Sequence, residues 1–149
     1  MRHLAIGVWA GLLGLVPLIP SVALSADLKP EGFGTASQGG AGGKVITVTT
    51  LADDGPGSFR AALANKEPRV IRFDVEGIIE LRQPVVARHG RVTIDGTTPT
   101  ENSITIARHG IWFLDQSSDI ILHNLRLRPT EGKANGDGLL FNGQNERVL

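Results

Sequence analysis

Val92, Ile120 and Val148 stand 28 residues apart, one after the next, and Gly110-Ile111 and Gly138-Leu139 share that interval. Short apolar segments returning at a fixed period bury too little surface alone, so they must stack on one another. A hairpin meander imposes no such period. Three short strands per coil with a period in the twenties is the pattern of a parallel β-helix, in which each coil pairs with the coils above and below it.

The segments themselves fit that reading. From Arg69 onward they are VIRF (70–73), GIIEL (77–81), VTI (92–94), SITIA (103–107), IWFL (111–114), DIILH (119–123), LRLR (125–128), GLLF (138–141) and RVL (147–149). Turn residues separate them: His89-Gly90, Asp95-Gly96, His109-Gly110, Asn124 and Asn142-Gly143. Asn124 lies between two strand segments and suits a sharp bend, because Asn adopts the left-handed backbone conformation at low cost. Upstream, VITVTTL (45–51) alternates β-branched residues as a strand does.

One helix is expected. Asp54-Gly55-Pro56-Gly57 is turn chemistry, Ser58 is an N-cap, and FRAALA places Phe59 and Leu63 at i and i+4 before Asn65 and Pro68 end the run. A short amphipathic helix at 58–65 can cover the N-terminal end of the spiral. No comparable cover follows RVL, and an uncovered end presents unpaired backbone groups. The chain is therefore expected to be a monomer or aggregation-prone, and poorly soluble on its own.

The N-terminus reads differently. Arg2 precedes an apolar run from Leu4 to Val22, broken near its end by Pro17 and Pro20, with small residues at Ser21, Ala23, Ser25 and Ala26. That is a secretory signal peptide over 1–25. Next come a Gly-rich segment (26–44), expected to be an ordered loop over something apolar because it carries Phe33, and an incomplete β-helix domain (45–149). A secreted protein, extracellular or periplasmic, is expected, with no membrane association after signal cleavage. The 15 basic and 15 acidic residues balance, which gives no reason to expect nucleic acid. With no cysteine, the fold rests on burial and hydrogen bonds.

Most polar candidates have ordinary structural roles. Asp95 suits a turn, and His123 a turn beside Asn124. ARHG occurs at 87–90 and 107–110; its histidines could share a metal between coils, but two solvent-facing turns are the simpler account. Alternation turns one of Trp112 and Phe113 inward; the other could stack on a sugar ring. Arg126 and Arg128 share one face, where they could meet carboxylates of a ligand bidentately or simply be solvated.

In their order, EGFGTASQGGAGGKVITVTTLADDGPGSFRAAL, RVIRFDVEGIIEL, VTIDGTTP, DIILHNLRLRP and GDGLLFNGQNERV resemble the pectate lyases, which are right-handed parallel β-helix proteins. The likeness runs from Glu31 to Leu149 and is to the N-terminal part of such enzymes. It implies a polysaccharide lyase acting on polygalacturonate by β-elimination. The C5 proton of a galacturonate is barely acidic, so the family uses Ca2+ on the carboxylate and an arginine as base. The resemblance places a calcium ligand at Asp137 in GDGLL; a second position falls on Asn135, an amide that adds no charge. The catalytic arginine belongs to a coil beyond Leu149, and neither Arg126 nor Arg128 matches it. The chain as given is thus expected to be truncated and inactive, with no catalytic residue assigned. The alternative is a non-catalytic β-helix module that binds acidic polysaccharide or a cell surface.

Overall fold

The computed structural model describes residues 33–115, 117–130, 137–142 and 148; the 1–25 segment and Asn135 lie outside them. After a 3-10 turn at Phe33–Ala36 come β1 (Lys44–Val48), α1 (Phe59–Leu63), β2 (Arg69–Phe73), β3 (Ile78–Glu80), β4 (Val85–Ala87), β5 (Val92–Asp95), β6 (Ile104–Arg108), β7 (Ile111–Phe113), β8 (Ile120–His123), β9 (Leu125–Pro129) and β10 (Leu139–Phe141). The strands form three sheets: A (β1-β2-β5-β8), B (β3-β6-β9) and C (β4-β7-β10). Every strand pairing among the described residues is parallel. Parallel neighbours cannot be joined by a tight turn. Here the connection is the rest of a coil: β1 and β2, both in sheet A, are joined through α1, and from β2 onward the chain visits A, B and C in rotation. This is a parallel β-helix of about four turns.

The 28-residue interval is a stacking interval. Val92 pairs with Ile120, Ile111 with Leu139, and Ile120 makes a parallel bridge to Val148. The interval is not uniform, however. Arg69 stacks under Val92, and Arg126 stacks on Thr105. Strands keep register because their apolar faces must coincide, so differences in coil length collect at the corners. Between β5 and β6 the chain makes an excursion closed by a Thr97–Ser103 bridge. Between β8 and β9 the same corner is Asn124 alone.

Inward residues form continuous files. Ile71 stacks on Ile94, Ile79 on Ile106, Val85 on Ile111 and Ala87 on Phe113, and all of these are buried. Each large aliphatic side chain so buried is worth about 1.5–3 kcal/mol. Phe113, not Trp112, is the inward aromatic of β7. Its ring stacks on Phe141, centroids 5.1 Å apart. β4 gave no sequence signal, since three residues between Pro84 and a turn are too few to show alternation.

α1 forms as expected. Ser58 is extended (φ −77°, ψ 158°), and its Oγ accepts from the Ala61 N–H at 3.2 Å. Phe59, Ala62 and Leu63 are buried, with Phe59 against Phe73 at 5.7 Å. The helix packs on β1 and β4. Arg60 ties it down by an ion pair to Asp53 at 2.6 Å and hydrogen bonds to the Gln83 and Pro84 carbonyls.

Arg69 occupies an inward position of β2, which polarity argues against. It is fully buried and donates to the carbonyls of Leu63, Glu67, His89 and Gly90. Those carbonyls belong to the C-terminal turn of α1, the following loop and the corner ahead of β5. Burial holds the guanidinium below its ordinary pKa, and its Nε–H has no partner among the described residues. Carbonyl dipoles stand in for a counter-ion.

The described part of the Gly-rich segment is an ordered loop on the outside of sheet A. Gly40 N–H donates to Thr93 Oγ1 at 3.0 Å. A Cβ on Gly39 would collide with Thr93 and Ile121, and one on Gly40 with the Arg69 carbonyl. The glycines are needed because backbone lies directly on the sheet.

Candidate functional site

Sheet C carries the residue singled out for metal binding. Asp137 precedes β10 and is exposed. Its position is fixed by the coil beneath. Ile111 N–H donates to the Gly138 carbonyl at 3.0 Å, as Val85 N–H does to the Gly110 carbonyl at 3.1 Å one coil earlier. Gly110 must be glycine for this, since a Cβ there would strike the Asp137 and Gly138 carbonyl oxygens. The outer file of the sheet runs Val86, Trp112, Leu140. Trp112 is therefore the half-buried, outward aromatic below Asp137's strand.

Calcium takes 6–8 oxygens. Among the described residues no three of His, Cys, Asp and Glu gather as a metal-binding group. Asp137 alone falls short of that shell, so the described residues do not by themselves form a calcium site.

The two ARHG stretches are not stacked. The first runs from β4 in sheet C into the corner ahead of β5, and the second from β6 in sheet B into the corner ahead of β7. Their histidines occupy different corners, and Arg88 pairs with Asp115 at 2.9 Å. Arg126 and Arg128 are both exposed on the outer face of sheet B.

One pair was not anticipated. His123 is the last residue of β8 rather than a turn residue, and it stacks on Asp95, the last of β5. Its Nδ1 lies 3.3 Å from Asp95 Oδ1. Asp95 is also a turn former, accepting from Thr97 N–H at 3.1 Å. Burial pushes its carboxyl up, but Thr97 and His123 together hold it below the ordinary value. The sequence signal was the period itself, which sets residues 95 and 123 one coil apart.

Asn124 adopts the left-handed conformation (φ 50°). Its carboxamide accepts from the Ser103 hydroxyl and donates to Thr97 Oγ1 at 3.2 Å. The bend is not a recurring Asn. Gly96 takes the equivalent place one coil earlier, with its N–H on the His123 carbonyl.

Known proteins share this stretch. The chain is 39% identical over 86% of its length to a probable pectate lyase C of Emericella nidulans, and 35% identical over 85% to one of Aspergillus fumigatus. The chain is a homologue of the pectate lyases. A probable pectate lyase 13 of Arabidopsis thaliana is 29% identical over 77% of the chain. The chain spans about 30% of the length of the two fungal relatives. No protein-family model matches it.

Proposed function

We propose that this chain forms coils of a pectate lyase-like protein that cleaves polygalacturonate by calcium-dependent β-elimination. The single observation carrying the reading is the 39% identity over 130 residues to a probable pectate lyase. Asp137 is proposed as one calcium ligand; the described residues do not supply the rest. Residues 1–25 are proposed as a signal peptide, and the mature protein as secreted. The 149-residue chain by itself is proposed to be inactive, because among the described residues no further carboxylate joins Asp137 in holding the ion that would offset the substrate's charge.

A chimera tests this. Residues 45–142 replace the matching stretch of the Emericella nidulans relative, and ultraviolet absorbance of the unsaturated product is followed on polygalacturonate. The chimera is expected to give calcium-dependent product. Asp137→Ala within it lowers the rate on the order of a hundredfold. A folded chimera with no such activity overturns the lyase assignment. Product from the 149-residue chain alone overturns its proposed inactivity.

A further inference from the structure

The outer face of sheet B is built unlike the other two. Its files run Ile78–Thr105–Arg126 and Glu80–Ala107–Arg128 across β3, β6 and β9. The middle strand carries only Thr105 and Ala107, both short. Strands lie about 4.8 Å apart, so the outer two, β3 and β9, stand about 10 Å apart across a shallow floor. One wall is Ile78, 55% exposed, with Glu80. The other is Arg126 and Arg128, about 7 Å apart along the strand. The backbone under the arginines is firmly held, since β9 pairs with β6 along its whole length.

Neither arginine reaches a carboxylate among the described residues. Glu80, the acid across the floor, lies 3.8 Å from Arg108, which offsets its charge. An apolar side chain facing a pair of guanidinia across a trough matches an acidic sugar chain. Such a chain has apolar ring faces, and its carboxylates suit the planar fork of Arg. A balanced chain offers no general attraction for polyanions, so the local arrangement must supply recognition.

We propose that this trough is a calcium-independent docking strip for polyuronate, on a different sheet from Asp137. The proposal rests on the polygalacturonate reading above for its substrate class, but not on calcium or turnover.

The test is electrophoresis of the 149-residue chain through gels containing polygalacturonate and EDTA. Retardation of the wild-type chain is expected. Arg126→Gln/Arg128→Gln weakens the apparent affinity about tenfold. Arg126→Lys/Arg128→Lys, which keeps the charge but loses the fork, falls between. Asp137→Ala migrates as wild type, and fully methyl-esterified polymer retards none of them. Unchanged far-ultraviolet circular dichroism establishes that the exposed substitutions leave the fold intact. Absence of retardation without calcium overturns the strip while leaving the chimera result standing. Equal retardation of the double Gln variant, or equal arginine-dependent retardation by duplex DNA, also overturns it.

Discussion

Asp95 and His123 occupy the same place on successive coils of sheet A, with Nδ1 and Oδ1 3.3 Å apart. The pair joins two rungs through side chains as well as backbone. Asp95 is held below its ordinary pKa of 3.8. A depressed carboxyl contributes stability that is complete above the unfolded value and disappears as pH falls through the folded one. The wild-type chain is therefore expected to lose melting temperature below about pH 4 more steeply than Asp95→Asn. Parallel acid melting curves for the two proteins test this.

Phe113 tests the core. It is fully buried, and its ring stacks at 8° from parallel on Phe141. Phe113→Ala is expected to cost about 3–5 kcal/mol, through lost transfer energy and the cavity left behind. Trp112 points outward from the same strand, so Trp112→Ala should cost about half as much or less. Urea unfolding of the pair measures the difference.

Arg69 is predicted to be a structural clamp. Arg69→Met leaves four carbonyls without their donor and is expected to cost on the order of 3 kcal/mol. Arg69→Lys recovers part of this, because an ammonium cannot reach four carbonyls spread over three segments. Hydrogen exchange should show the loss first in α1 and in the corner ahead of β5.

Gly110 links stability to the candidate metal ligand. Gly110→Ala drives a Cβ into the Asp137 and Gly138 carbonyls, and is expected to cost about 2–4 kcal/mol. The amide of Ile111, bonded to Gly138 in the parent, should lose exchange protection. In the chimera, the same substitution should reduce calcium-dependent activity although Asp137 remains.

Asn124 separates backbone from side chain. Asn124→Ala must hold φ 50° without help and also loses the bonds to Ser103 and Thr97, so about 2 kcal/mol is expected. Asn124→Gly keeps the conformation and loses only the bonds, so it should be less severe. Thermal melts of the two variants rank them.

Residues repeating at full coil spacing were legible in the sequence, because Val92, Ile120 and Val148 must coincide to bury one file. Ser58 and the Phe59–Leu63 pair announced the helix through local chemistry. What stayed hidden depended on the third dimension. β4 is too short to alternate. Arg69 carried no signal of its role, since only the assembled corner shows four carbonyls converging on its guanidinium. The corner lengths were masked by the 28-residue interval, which holds where features happened to match. At the site, Asp137 could be named by resemblance alone; nothing in Gly-Asp-Gly distinguishes a ligand from a turn.

The excursion between β5 and β6 leaves the rungs at Thr97 and rejoins them at Ser103, and residues 99–102 at its tip are exposed. Its ends are already latched together, while the next coil turns the same corner on a single residue. A foreign peptide grafted at Pro99-Thr100 would thus hang clear of every ladder, and is expected to disturb only the hold that Thr100 and Asn102 keep on Glu76.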